Sequence, residues 1–364
     1  MSPSPPAAES FFDVGPIRVS PATALAPMEG ITDRAFRRLI RTLGGCGLTV
    51  TEFISSDQIS RHNRHAWRMA ELDPDEHPVS IQIFGRDPQA MATAAAHCES
   101  FGADLVDLNL GCPSKRVTSG CSGSALMREP ALARDIFAAV RQAIEVPMTV
   151  KMRLGWDDDA RNAPEIARIA EGEGAAMLVV HGRTRMQLYR GAADWHAVRA
   201  VVDAVRIPVL VNGDVLTPED AVQALAASGA AAVMIGRGAL RDPWILRRVA
   251  ERLAGRAPYE PPLADREAHL LRYFSLIEAD SAHERAAVGR MKKVTGYFTR
   301  GLPDGEALRQ QIFHSHEIAP ICDAVRAWFS RLAEAQIVGV FARVHADGET
   351  IYSDGDARTL QRSR

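Results

Sequence analysis

No apolar run in the 364 residues approaches the roughly 18 that a membrane-crossing helix needs. The opening MSPSPPAAESFF lacks both the basic start and the apolar stretch of an export signal, so it reads as a flexible lead. A cytoplasmic protein with no membrane partner is the expectation. Cysteine is scarce and odd in number, at Cys46, Cys98, Cys112, Cys121 and Cys322. An odd count without an export signal argues against a disulfide framework, and the lack of any CxxC pair or Cys/His cluster argues against a structural metal. Charge of one sign is missing as well. With 43 Lys+Arg against 45 Asp+Glu, the net of −2 leaves any nucleic-acid contact to local patches.

What is present is a globular composition, 46% apolar and 24% charged, in a chain longer than one ordinary domain. Short apolar runs at Ala22–Met28, Leu48–Ile54, Val79–Phe84, Asp104–Leu110, Met148–Met152, Ala176–His181, Val209–Asn212 and Ala231–Ile235 read as strands. Between them lie helical patterns such as Asp87–Phe101, Pro130–Ile144, Ala163–Glu173, Trp195–Val205 and Pro218–Ser228, with Gly102, Gly174 and Gly229 just past three ends, and Ala239–Leu253 reads as the last helix. Strand–helix units repeated in this rhythm over residues 21–255 predict an α/β fold, a closed (β/α)8 TIM barrel. Residues 1–20 are the lead. A proline-rich linker follows the barrel at 256–263, then helical periodicity without strand signals over 264–344, read as a C-terminal helical-bundle domain, and a polar tail at 345–364.

The stretch Asp104–Met127 is the hub. A buried-strand run ends at Leu110, glycines and serines then break the chain into a loop, and Cys112 sits at the strand's C-terminal tip. Barrel enzymes do their chemistry at that end. A cysteine there is a nucleophile, a metal ligand, a proton donor or a small buried hydrophobe.

In the first helix Phe36, Leu39, Ile40 and Leu43 recur at i, i+3, i+4, i+7, while Arg34, Arg37, Arg38 and Arg41 share that spacing on another face. Such a stripe is ordinarily a solvated surface, but Arg61, His62, Arg64, His65 and Arg68 follow after the second strand, which favours an anionic polymer partner. Residues 285–309 hold six cations against two acids, with Tyr297 and Phe298 interleaved. This pattern suits RNA backbone and base contacts, or the core of an amphipathic helix.

Polar residues and glycines fall at nearly every strand tip: Met28, Gln82, Asn109, Lys151, His181, Asn212 and Arg237 lie on or beside them. Glycines after the last two strands, backed by Arg237, form the phosphate cradle common in barrels. Lys151 in the mouth needs an anion, either a reduced flavin ring or a carboxylate such as Asp107 or Asp214.

APMEGITDRAFR (26–37), SIQIFG (80–85), VDLNLGCPSKRV (106–117), VKMRLGW (150–156), VVHGRT (179–184), VLVNGD (209–214) and MIGRGAL (234–240), in that order on successive strands, resemble the tRNA-dihydrouridine synthase family. The resemblance implies an FMN-dependent barrel with a helical tRNA-binding domain. FMN would be held by Ala26, Pro27, Met28, Gln82, Lys151, His181, Asn212, Gly213, Asp214, Gly236 and Arg237. Cys112 matches the catalytic cysteine, Asn109 and Arg183 would meet the target uracil, and Arg290, Lys292 and Lys293 would touch tRNA phosphates. Cys121 matches no catalytic position, and Met291-Lys292-Lys293 departs from the Arg-Lys-His of many relatives.

The implied reaction reduces the C5=C6 bond of uridine in tRNA to 5,6-dihydrouridine with NADPH or NADH as reductant, hydride passing from FMN N5 to C6 and a proton from Cys112 to C5. A thiol with a reference pKa of about 8.5 is mostly protonated at neutral pH yet yields its proton readily. Two other readings stay open: a flavin barrel acting on a small pyrimidine, like dihydroorotate or dihydropyrimidine dehydrogenases, and a barrel that only binds tRNA. No obligate protein partner is evident.

Overall fold

The computed structural model describes residues 10–299 and 302–334. Residues 1–9 of the lead, Arg300, Gly301 and everything from 335 onward, including the polar tail, lie outside the described residues. The chain divides into two compact units at 260/261.

In the first unit, strands β1 (Thr23–Leu25), β2 (Leu48–Val50), β3 (Val79–Phe84), β4 (Leu105–Leu110), β5 (Met148–Arg153), β6 (Ala175–His181), β7 (Val209–Asn212) and β8 (Ala232–Ile235) pair in parallel, each with the next. Pairing of β8 with β1, Ile235 opposite Leu25, closes the (β/α)8 barrel. The second predicted strand is split. After Val50 the chain re-forms pairing only at Ile54–Ser55, which lies beside Ile83 and Phe84.

The crossover helices start and stop where side chains satisfy their ends. Asp33 accepts from Phe36 N at 3.0 Å to open Arg34–Leu43, Asp87 accepts from Ala90 N at 2.7 Å to open Pro88–Ser100, and Thr217 and Asp220 form a reciprocal capping box before Pro218–Ser228. Gly229, just past that last helix, takes the left-handed φ of 68° that the turn requires. The last predicted helix, Ala239–Leu253, is instead two, Arg237–Arg241 and Ile245–Leu253. Pro243 disfavours helical backbone at Asp242, which is extended at φ −131°.

The lead is ordered where the structure describes it. Phe12–Val14 and Ile17–Val19 make an antiparallel hairpin around Gly15, with Phe12, Val14 and Val19 buried against Ala24, Leu48, Leu105, Met177, Leu210 and Ala232. These partners lie at or near the starts of their strands, so the hairpin plugs the floor of the barrel. That leaves the other mouth for chemistry.

The second unit comprises the helices Leu263–Ala279, Glu284–Phe298, Gly305–His314 and Ile318–Glu334. Tyr273, Phe274, Met291, Ile312, Trp328 and Phe329 are among its buried side chains. The buried Trp328 finds a polar partner by donating from Nε1 to Pro303 O at 2.9 Å.

Candidate active site

The C-terminal ends of the strands bring the predicted residues together. Ala26 N donates to Ile235 O at 2.8 Å, and a Cβ added to Gly236 would lie 3.4 Å from Ala26 Cβ and 3.5 Å from Met28 Sδ, so the tips of β1 and β8 share one patch. Pro27 and Met28 are half-buried there. At the tip of β7, Gly213 adopts φ 113°, and a Cβ on it would come within 2.9 Å of both Ala193 and the His181 ring. No other residue fits that position without a shift.

Lys151 Nζ donates to Asn212 Oδ1 at 3.0 Å, and Asn212 Nδ2 to Met234 O at 2.8 Å, so its hydrogen-bond partner is an amide and not a carboxylate. Burial and then the Arg153 charge pull the Lys151 ammonium down to about 8, only partly offset by the Asp107 carboxylate, so it is still charged at pH 7. Asp214, at φ 54°, accepts from Arg183, Arg237 and Ala193 N. Against the opposing effect of burial, these partners hold its carboxyl below the usual range. Every N–H of the Arg183 guanidinium is engaged, by Asp214, Arg190 O, Gly191 O and His181 Nε2.

Cys112 follows β4. Its N–H donates to Asn109 Oδ1 at 2.8 Å, and its carbonyl accepts from Ser124 N at 3.1 Å and Ser124 Oγ at 2.9 Å. Burial pushes the thiol up, so it carries its proton at neutral pH. Asn109 of β4 pairs with Lys151 of β5, and Arg153 Nε donates to Gly111 O at 2.8 Å, so the turn that carries Cys112 sits at this mouth.

Two groups at this mouth have no role that the sequence assigns. Arg153 is 1% exposed and donates to Gly111 O, Thr184 O and Leu188 O, tying the tips of β4, β5 and β6. Tyr189, 51% exposed, lies under Arg153 and Arg237, 5.5 and 4.7 Å from ring centroid to guanidinium. Arg153 is legible in the strand-five motif beside Lys151, but its acceptors, on other strand tips, are not. A loop tyrosine has no periodic signal.

The arginine stripe is not the surface it resembles. Arg37 is buried in a bidentate pair with Glu76, Arg34 pairs with Asp73, and Arg41 donates to Pro78 O, leaving Arg38 exposed. Arg64, Arg68 and His62 do remain exposed, around a cleft of about 540 Å³ that Trp67 and Phe101 also line. In the helical unit Arg290 is bound to Asp280 at 3.0 Å, Lys292 Nζ lies 5.5 Å from the centre of the Phe313 ring, and Lys293 is exposed.

His181 is buried among Arg153, Lys151, Arg183 and Arg237, and burial first, then these charges, hold it neutral well below 6.5. The unfolded chain takes up that proton near pH 6.5 while the folded one does not, so stability contributed at neutral pH is lost as pH falls below 6.5. Urea unfolding of the barrel at pH 7 and pH 5.5 is expected to reveal a loss of up to about 1.4 kcal/mol per pH unit, flattened in His181→Asn.

Residues 24–333 match the sequence family described as Dihydrouridine synthase (Dus). A probable tRNA-dihydrouridine synthase of Rickettsia conorii is 37% identical over 89% of this chain and 98% of its own length. One of Rhodobacter capsulatus is 48% identical over 68% of this chain and 76% of its own. tRNA-dihydrouridine synthase B of Pseudomonas aeruginosa is 37% identical over 88% and 96%. Among solved structures, a 2-naphthoyl-CoA reductase complex superposes with a TM-score of 0.52 at 13% identity over 68% of this chain. The chain spans about half, 52%, of that protein's length, and the likeness concerns the fold alone. With the family pattern running through both units and the Rickettsia and Pseudomonas relatives matched over nearly their whole length, the chain belongs to the dihydrouridine synthase family.

Proposed function

We propose that the protein reduces the C5=C6 bond of uridine in tRNA to 5,6-dihydrouridine, with FMN in the barrel mouth and NADPH or NADH as the source of electrons. The observation that carries this reading is the register of β4 and β5, which sets the turn bearing the Cys112 thiol and the Lys151 ammonium, bonded to an amide, at one mouth. The donor set suits FMN. Lys151 and Arg237 are cationic, and Gly213 has no room for a side chain. FMN bound there supplies the hydride.

The chain's own residues do the rest. Lys151 stabilises negative charge beside it, held in place by Asn212. Gln82, His181, Asp214 and the Ala26–Met28 tip complete the cofactor's surroundings. Cys112 keeps a proton on Sγ for transfer to C5. Asn109 spends its oxygen on the Cys112 turn and one N–H on Gln82, which leaves one N–H for a uracil carbonyl. Arg183 can reach uracil only by releasing a present acceptor, so its first role is to hold Asp214 and, through it, Arg237.

Extruding a stacked base costs a few kcal/mol, on the order of what binding to phosphates offsets. Arg290, Lys292 and Lys293 are assigned to the tRNA phosphates. Lys292→Ala with Lys293→Ala should weaken tRNA binding and lower the slope of log K against log salt by about 0.7–0.9 for each phosphate no longer neutralised, while NADPH oxidation through FMN survives. An unchanged slope moves the RNA surface elsewhere, first to Arg64 and Arg68. The substrate class is tested by offering unmodified tRNA, free uracil and orotate in parallel. Turnover of tRNA alone supports the proposal, and turnover of the free bases alone supports a small-pyrimidine enzyme.

A further inference from the structure

Asp107 is 2% exposed, lies inside the barrel one residue pair below the mouth, and has no part in the chemistry above. We propose that Asp107 is a positioning residue that fixes the orientation of the Gln82 and Asn109 amides and, through Asn109, holds the backbone turn carrying Cys112. The proposal rests on the reading of Cys112 as the proton-bearing group.

Its basis is a directed chain of hydrogen bonds. Thr149 Oγ1 and Gln82 Nε2 donate to the two Asp107 oxygens, both at 2.5 Å. Gln82 Oε1 accepts from Asn109 Nδ2 at 2.7 Å. Asn109 Oδ1 accepts from Gly111 N at 3.0 Å and Cys112 N at 2.8 Å. The two ends set the direction, because the Asp107 oxygen facing Gln82 only accepts and the backbone N–H groups only donate. Between them each amide has one orientation. Flipping either sets N–H against N–H or oxygen against oxygen at both of its ends, in a buried site where such groups are costly to leave unpaired.

The strands dictate the arrangement. Asp107 and Asn109 are two residues apart on β4 and share its inner face. The register sets Gln82 of β3 opposite Asp107 on one flank and Thr149 of β5 opposite it on the other. The chain therefore crosses three strands at one level and ends on the Cys112 turn.

Asp107 does not need its charge for this role. A neutral carboxyl turns its O–H to Thr149 Oγ1 and keeps a bare oxygen on Gln82. Asparagine does the same, its Oδ1 facing Gln82 and its amide N–H facing Thr149. Leucine offers no acceptor, and the serine hydroxyl falls short of Gln82. A counter-ion role toward Lys151 predicts the opposite for asparagine.

The test compares Asp107→Asn, Asp107→Leu and Asp107→Ser in the full-length protein. Timed iodoacetamide labelling is followed peptide by peptide by mass spectrometry, alongside kcat and KM on tRNA. Asp107→Asn should stay within about threefold of the parent in labelling and in both kinetic constants. The Leu and Ser variants should label Cys112 about tenfold faster as its turn opens locally, with buried Cys46 and Cys98 still protected. Their kcat should fall about ten- to a hundredfold with KM little changed. If the leucine variant does not fold, the serine variant decides. Unchanged Cys112 labelling in the breaking variants, exposure of Cys46 and Cys98 alongside it, or an asparagine variant that behaves like them overturns the proposal. Labelling needs no turnover, so it stands apart from any failure of the substrate assignment.

Discussion

Cys112→Ala is expected to bind FMN and tRNA as the parent does and to lose about 10²–10⁴-fold in kcat, the usual range for removing a general acid. The expectation follows from where the thiol sits. Burial pushes it up from its ordinary value, so at neutral pH it is a reservoir of one proton rather than a thiolate. The turn that carries it is fixed at both faces, by Asn109 on its N–H and by Ser124 on its carbonyl. Gly123, at φ 61°, lets the loop close, since a Cβ there would meet Cys112 O at 2.9 Å. Alanine keeps this backbone and removes only the proton. Cys112→Ser should rescue little, because a hydroxyl gives up its proton far less readily than a thiol. Single-turnover reduction of unmodified tRNA, with flavin content read from absorbance, checks both halves. Full activity in the alanine variant would take the cysteine out of the mechanism.

Arg37→Met is expected to destabilise the barrel unit by about 3–5 kcal/mol, the cost of leaving one member of a buried ion pair alone. Arg37 and Glu76 are each 1% exposed on their side chains. The guanidinium spans both carboxylate oxygens and also donates to Thr32 O and Glu71 O at 3.0 Å, while Glu76 accepts from Thr49 Oγ1 at 3.1 Å. One ion pair thus ties the first helix, the loop after β1, strand β2 and the approach to β3. The double variant Arg37→Met, Glu76→Met removes both charges and should recover much of the loss. Urea unfolding of the two single variants and the double variant measures the coupling. Additive losses would show that the pair is not what holds this sector.

The contrast between these residues marks how much was legible. Strand positions and the glycine stops at Gly102, Gly174 and Gly229 come from local period and punctuation, and all three glycines take positive φ after their helices. The strand-tip residues were legible because a parallel barrel gathers the ends of its strands at one mouth. The arginine stripe misled for the opposite reason. Arg37 shares its spacing with exposed Arg38, and its partner lies 39 residues away, where no helical period reaches. The bonds from Gln82 to Asp107 and from Asn109 to Gln82 span 25 and 27 residues and depend on inter-strand register. The floor hairpin did leave a trace, with Phe12 and Val14 alternating with Asp13 before a Gly-Pro turn. Its strands are only three residues each, and the polar lead before them hides it. Pro243 likewise announced the break in the last barrel helix.

The central claim, that this barrel saturates a uridine within tRNA, is met most directly by mass spectrometry of tRNA fragments from cells with the gene intact and deleted. The expected result is at least one tRNA uridine heavier by two hydrogens in the parent and of ordinary mass in the deletion, restored by the wild-type chain and not by Cys112→Ala. Identical dihydrouridine maps in parent and deletion would contradict the claim.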